Sequence, residues 1–333
     1  MKAFTLNRYG KHETLHLSDV AEPHITENDI LVEIHAAGLN LLDAKIKTGE
    51  FKSVLPYKHP LILGHDVAGI VTQVGSKVTK FQVGDEVYSR PSDFRIGTFA
   101  EFIAIDEKDV AHKPKNLSME EAASIPLVGL TVWQALVEKA KVKKGQKVFI
   151  QAGSGGVGTF AIQLAKHLGA TVATTASEKS FDLLRSLGAD ILIDYKKQDF
   201  ETVLEDYDFV LNSQDKNTLL KSLRILKPTG KVISISGPPT PEFAKEIKAS
   251  WFVQLILSLI SSGVRKAAKK GNVAYSFLFM RAEGSHLQEI TKLIESGSIK
   301  PVIDKVFPFE KTNDALAYVE SGRSKGKVVV KMK

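Results

Sequence analysis

Val148-Phe149-Ile150-Gln151-Ala152-Gly153-Ser154-Gly155-Gly156-Val157-Gly158 runs from a short apolar strand into a glycine-rich turn, and the residues after it, Phe160–Leu168, carry the apolar spacing of a helix. The turn fits G-x-G-x-x-G in the context that gives the pattern meaning, with a strand before it and a helix after it. Gly153 would make the tight turn. Gly155 would let the backbone approach a pyrophosphate, and Gly158 would let the helix pack closely on the strand. Ser154, Gly156 and Val157 complete the loop, at which the helix N-terminus would offer free amides and a positive dipole end to phosphates.

Downstream, Thr171–Ala176, Ile191–Asp194, Phe209–Asn212 and Lys231–Ile235 are further short β-rich runs separated by helical segments, and Tyr275–Met280 would complete a six-stranded sheet with Lys147–Gln151. Parallel strands cannot be joined by tight turns, so this alternation predicts an α/β fold: a doubly wound parallel Rossmann sheet with crossover helices. Upstream the rhythm differs. Ile30, Val32 and Ile34 alternate with Leu31, Glu33 and His35, and the runs Val67–Val74, Glu86–Tyr88 and Phe99–Ile105 are punctuated by Gly64, Gly69, Gly75, Gly84 and Gly97. That half reads as a β-barrel or folded sheet. Ser118 followed by Glu121 is a capping-box signature, with helical spacing continuing through Leu130–Lys139. A helix near Ser285, an extended piece around Pro301–Pro308, a helix near Asn313–Val319 and a strand Lys327–Val330 do not continue the βα rhythm and are assigned back to the first domain. The expected division is residues 1–124 for the first part of a β-rich catalytic domain, 125–268 for the dinucleotide domain, and 269–333 for the last Rossmann strand and the return.

Composition narrows the function. The chain has 333 residues, enough for two cores, and no cysteine, which removes disulfides, a thiolate nucleophile and thiolate-held zinc or iron–sulfur clusters. Its 45 lysines and arginines against 38 acidic residues leave a net charge of +7, but acidic residues accompany the basic ones nearly everywhere, so no nucleic-acid partner is expected. The first residues lack the apolar core of a secretory signal, and no apolar run reaches the roughly 18 residues of a membrane span, so a cytoplasmic protein is expected. Trp251–Ile260 comes nearest and is followed by Arg265, Lys266, Lys269 and Lys270. It reads as a buried or subunit-facing helix, with peripheral contact of 251–270 with anionic lipid as the alternative.

The end of the second βα strand bears on the cofactor. A carboxylate there suits the ribose hydroxyls of NAD, whereas a 2′-phosphate needs hydroxyls and a cation. Thr174, Thr175 and Ser177 line the strand tip and Lys179 provides the cation. Glu178 is a counter-signal, but it lies past the tip, where it would open the next helix. NADPH is the expected cofactor. Asn212 and Ser213 close the fourth strand and would border the cofactor, and Ser236 and Gly237 close the fifth, near the nicotinamide ribose or carboxamide.

Several further islands carry a resemblance over nearly the whole chain: Ala37-Gly38-Leu39-Asn40-Leu41-Leu42-Asp43, Gly64-His65-Asp66-Val67-Ala68-Gly69, Val83-Gly84-Asp85-Glu86-Val87-Tyr88, Leu130-Thr131-Val132-Trp133, Leu187-Gly188-Ala189-Asp190 and Gly322-Arg323-Ser324-Lys325-Gly326-Lys327-Val328-Val329. With the glycine turn, they resemble the medium-chain dehydrogenase/reductase superfamily, in its zinc-free quinone oxidoreductase and 2-alkenal reductase branch. The resemblance implies a GroES-like catalytic domain built from both chain ends, a Rossmann domain, and a homodimer through the exposed sheet edge. Zinc-using relatives carry a cysteine where this chain has Asn40, His-Glu where it has His65-Asp66, and a cysteine-rich lobe beyond Tyr88, so no metal is expected. His65 and Asp66 are then expected to bond within their domain.

The same resemblance places Asn40 beside the nicotinamide or the substrate carbonyl, with Asp43 supporting it, and brings Thr131 to the nicotinamide. It puts Tyr195 over the adenosine phosphate end, where Arg323 would add charge. A hydride delivered to a quinone or an α,β-unsaturated carbonyl needs no metal, because the developing charge is delocalised over the acceptor. Tyr57 is weighed as a proton donor and set aside in favour of a packed aromatic. Two other readings stay open at this level: a non-catalytic NADPH-binding protein, crystallin-like or sensory, and a metal-dependent alcohol dehydrogenase.

Overall fold

In the computed structural model, residues 1–247 and 249–333 are described, and the chain divides into two compact units. Unit 1 comprises Met1–Leu130 and Arg281–Lys333, and unit 2 is Thr131–Met280. The Rossmann-type unit therefore interrupts the other one.

Unit 2 contains a six-stranded sheet in which every pairing is parallel. Its spatial order is Ile191–Asp194, Thr171–Ala176, Lys147–Ile150, Tyr207–Asn212, Leu226–Ser234, Ala274–Phe277. The strand that feeds the glycine turn is thus central, at the point where the order reverses, and ligands in doubly wound sheets bind at this switch point. Phe149, Val210 and Val232 are fully buried between the sheet and its helices, as parallel strands covered on both faces require.

Unit 1 is β-rich. One sheet of seven strands centres on Asp29–Leu39, which pairs antiparallel with Asp66–Val74, Phe102–Asp106 and Lys327–Lys331. Lys327–Lys331 pairs in turn, parallel, with Ile303–Pro308, the two being connected through the helix Thr312–Glu320. A second sheet holds Lys2–Leu6, His16–Asp19 and Leu61–Ile62. Ile30, Val32, Ile34, Val67, Val71 and Ile105 form the core beneath the large sheet. Leu31 is buried as well, because both faces of that strand are covered.

The structure differs from the sequence reading at three places. The capping box at Ser118 forms as expected, with Ser118 Oγ accepting from Glu121 N at 3.2 Å and Glu121 Oε2 from Ser118 N at 2.9 Å. Its helix nevertheless ends at Ala123, and Pro126, which has no amide proton to continue it, opens a second helix to Trp133 that passes into a π-helical segment, Gln134–Ala140. The unit boundary falls after Leu130, later than 124, because the start of that second helix is tied to unit 1 by Leu127 N donating to Asp66 Oδ1 at 2.6 Å. Finally, Trp251–Lys270 is a single helix, but the apolar side chains of its first ten residues are not buried by the chain. Trp251 is 76% exposed and Leu259 67%. No helix among the described residues is long and apolar enough to cross a membrane.

Candidate cofactor and catalytic sites

The glycine turn of unit 2 is built by exclusion. A Cβ on Gly153 would lie 2.2 Å from Thr174 Oγ1 and displace that side chain, and one on Gly158 would lie 2.4 Å from Ala152 O and 2.6 Å from Gly153 Cα, where only backbone movement could make room. Gly155 differs. A Cβ there would meet nothing closer than Ala152 O at 3.5 Å, which leaves open space over the turn. Gly155 also caps the helix Gly156–His167 without any side-chain bond, so the first-turn amides are not claimed by a cap. Ser154, Gly155, Gly156 and Val157 are half-buried around this opening, and the donors, the room and the dipole end all suit a pyrophosphate.

The strand behind the turn braces it. Gly153 N donates to Thr175 O at 2.9 Å, Ala152 N donates to Thr175 Oγ1 at 3.1 Å, and Thr174 Oγ1 donates to Ile150 O at 2.6 Å. Thr175 is therefore a support for the loop and not an open hydroxyl. Asn212 is likewise internal and fully buried: its Nδ2 donates to Gln151 Oε1 at 2.6 Å, and its Oδ1 accepts from Ser234 Oγ at 2.5 Å. Ser234 Oγ accepts from Gly237 N at 2.7 Å, and Gln151 Nε2 reaches Ser222 Oγ at 2.6 Å. This ladder ties together the carboxyl ends of three adjacent strands. Sequence reading missed Gln151 and Ser234, whose only signal was a polar residue closing each apolar strand. Ser236 lies outside the ladder, its Oγ donating to Gln214 O at 2.6 Å.

At the expected 2′-phosphate end, Ser177 precedes a short 3-10 turn, Glu178–Ser180, so Glu178 does open the next helical element. Glu178 also pairs with Lys197 at 2.5 Å, which neutralises the counter-signal. Lys179 is exposed, and Tyr195 is 61% exposed with Lys196 Nζ 5.9 Å from its ring centre. Ser177 and Lys179 thus follow one strand, and Tyr195 and Lys196 follow the strand that pairs with it in parallel. Thr131 is buried in the helix Pro126–Trp133. Arg323 is exposed in unit 1, close enough to Tyr318 for its charge to act on that phenol.

Unit 1 contains a different kind of site. Asn40 and Asp43 open the helix Leu41–Thr48 through a capping box, Asn40 N donating to Asp43 Oδ2 at 2.8 Å. Asp43 Oδ1 accepts from His65 Nδ1 at 2.6 Å, and His65 Nε2 is buried without a partner among the described residues. Asn40 Nδ2 donates to Asp66 Oδ2 at 2.9 Å. Lys327 Nζ completes the group, donating to Asn40 Oδ1 at 2.5 Å and Asp66 Oδ2 at 2.9 Å. All five residues are buried. Gly38 permits the assembly, since a Cβ there would lie 2.4 Å from Ala123 O and 3.0 Å from Asp66 Cβ. Asn40 with Asp43, and His65 with Asp66, were expected here. Lys327 was not singled out; its one signal was a lysine heading a run of valines.

Tyr57 is held as a packed aromatic. Its OH donates to Asp93 O at 2.5 Å, and burial together with the Asp93 charge pushes the phenol well above its ordinary range, which makes it a poor acid.

A parallel six-stranded sheet with a G-x-G-x-x-G switch-point turn, inserted into a β-rich domain, defines a two-domain dinucleotide-dependent oxidoreductase fold. Residues 26–115 match the alcohol dehydrogenase GroES-like domain, and residues 187–330 match the zinc-binding dehydrogenase family. The chain is 38% identical to the 2-methylene-furan-3-one reductase of Solanum lycopersicum and 36% identical to the chloroplastic NADPH-dependent alkenal/one oxidoreductase of Arabidopsis thaliana, in each case over 99% of this chain and 79% of the relative. The structure of the quinone oxidoreductase from Coxiella burnetii superposes with a TM-score of 0.86 at 30% identity, covering 100% of this chain and 99% of that one. The chain belongs to the medium-chain dehydrogenase/reductase family, in the branch of quinone oxidoreductases and enal/enone reductases. The zinc ion in the family's description does not fit this donor set: His65 and Asp43 bond each other, an ammonium occupies Asp66 and Asn40, and no group of three or more His, Cys, Asp or Glu among the described residues is placed to hold a metal ion.

Proposed function

We propose that this protein is an NADPH-dependent, zinc-independent reductase of quinones and α,β-unsaturated carbonyls. The observation that carries the reading is the open space over Gly155 at the uncapped start of the helix Gly156–His167. When bound, NADPH supplies the hydride, which goes to the β-carbon of an enal or to a quinone. The first-turn amides would hold the pyrophosphate, Ser177 and Lys179 would engage the 2′-phosphate, and Tyr195 would serve the adenosine end. Ser154, Gly156, Val157, Ser236 and Gly237 would line the nucleotide, while Thr175 and Asn212 contribute by holding the turn and the strand ends. Thr131 would serve the nicotinamide, and Arg323 would add positive charge.

On the acceptor side, Asn40 donates an N–H to the oxygen on which negative charge develops, as an oxyanion-hole amide does, and Asp43 fixes the helix start that presents it. Water returns the proton to the enal α-carbon. The names of the relatives, the mutually bonded side chains around Asn40 and the hydroxyl-and-lysine strand tip all favour this chemistry. A homodimer completes the proposal, with the edge strand Ala274–Phe277 and the uncovered apolar side chains of the preceding helix as its interface. The cytoplasm is the compartment proposed.

The test is NADPH oxidation, followed by its near-ultraviolet absorbance, with a quinone, an unsaturated aldehyde and a simple ketone in the presence of chelator. Turnover of the quinone or the enal with the ketone inert is expected. Ketone turnover restored by zinc, or cofactor binding with no turnover, would overturn the reading.

A further inference from the structure

We infer that Lys327 is a positioning residue for this reduction: its ammonium fixes and polarises the Asn40 amide. The inference rests on the role proposed for Asn40.

Lys327 reaches the group through the backbone. In the ladder between Lys327–Lys331 and Asp29–Leu39, Val328 lies opposite Leu39, which sets Lys327 beside the residue that follows Leu39. Gly326 makes the turn into the strand at φ +96, where a Cβ would lie 2.3 Å from Val302 O. The lysine is therefore aimed by main-chain geometry, and its side chain is 6% exposed.

An asparagine amide has two ends of similar shape and opposite character. Here a cation sits on the oxygen end and a carboxylate on the nitrogen end. Flipping the amide would point N–H groups at an ammonium and a carbonyl at a carboxylate, so only one orientation is compatible with the charges. The cation also draws electron density from the amide nitrogen toward the oxygen, and hydrogen bonds linked in a dry interior strengthen one another. Of the two Nδ2 protons, one is donated to Asp66; the other becomes a better donor for an acceptor's developing charge. Stability is a weak reason for keeping such a group, since a buried ion pair often does no better than apolar residues of the same volume. A role in orienting the amide accounts for it.

The two substrate classes should feel the loss differently. An enolate is a much stronger base than a hydroquinone anion, whose charge spreads over an aromatic ring, so enal reduction depends more on the donor. The experiment compares wild type, Lys327→Met and the double variant Lys327→Met/Asp66→Asn, which removes the carboxylate that the single variant would leave buried and unpaired. With an unsaturated aldehyde, kcat is expected to fall by about tenfold more than with a quinone, a fraction of the loss seen when a whole oxyanion donor is removed. KM for NADPH should stay within about twofold, and the double variant should keep the enal deficit while melting near wild type.

Equal losses on both substrates, or a wild-type enal-to-quinone ratio in the double variant, would overturn the inference and leave Lys327 as charge balance alone. A second readout does not depend on turnover. In protein labelled with 15N-asparagine, the Asn40 side-chain amide should give a slowly exchanging, downfield pair that moves upfield and exchanges faster in Lys327→Met, where Asp66 is intact. An unchanged pair overturns the inference. If wild type reduces neither substrate, the proposed function fails by itself, and the amide signal still decides whether Lys327 fixes Asn40.

Discussion

The glycine turn of unit 2 and the polar group of unit 1 solve opposite problems. Around Gly155 the chain leaves amides unclaimed and keeps space open. Around Asn40 the donors and acceptors of Asp43, His65, Asp66 and Lys327 are almost all spent on one another, with His65 Nε2 as the exception. The first arrangement waits for a ligand to satisfy it, so its mutations should appear in binding. The second is already satisfied and buried, so most of its mutations should appear in folding, and only the amide that keeps a proton to offer, with the lysine that orients it, should appear in catalysis.

The largest effect should come from breaking the satisfied group. Asp66→Ala strands the Lys327 ammonium and the Leu127 amide in a dry interior, and should cost about 3–5 kcal/mol in denaturant unfolding. A cost below about 1 kcal/mol would show that water reaches the group and that the contrast between the two sites is false. Within the turn, Gly158→Ala pushes a methyl into the backbone of Ala152 and Gly153 and should destabilise by about 2 kcal/mol or more. Gly155→Ala has room, so it should melt near wild type while NADPH affinity, measured by calorimetry, drops by about tenfold or more. Equal melting losses for the two alanine variants would remove the distinction between a glycine needed for packing and one needed for a ligand.

A third probe uses acid. Asp29, buried in unit 1, accepts two bonds from Arg95 at 2.7 and 2.8 Å and one from Thr26 N at 2.7 Å, and the guanidinium holds its carboxyl down to about 2. A carboxyl lowered in the folded state stabilises fully above its unfolded value near 4 and loses that contribution as pH falls toward 2. The contribution is on the order of 2 kcal/mol. Unfolding curves of wild type and Asp29→Asn should therefore differ at pH 7 and converge near pH 2; a constant gap would assign the effect to shape instead of charge. The smallest effect is expected for Tyr57→Phe. It removes one hydrogen bond to a carbonyl, should cost about 1 kcal/mol, and should leave the rate of enal reduction within about twofold. A large rate loss would make Tyr57 the acid that its environment argues against.

The sequence by itself determined the order of elements, the parallel sheet, the glycine turn and the family, because each is written in short-range terms: strand period, helix period, and glycines at fixed spacing over a single turn. The family resemblance also marked Asn40 and Asp43, which the structure joins in one capping box. Tertiary structure alone decided that Thr175 and Asn212 are braces, that the apolar start of Trp251–Lys270 stays uncovered, and that Lys327 meets Asn40 across 287 positions of chain. The physical reason is that whether a polar side chain is spent or left to act depends on which partner reaches it. That partner is delivered by sheet register, and no local pattern encodes it.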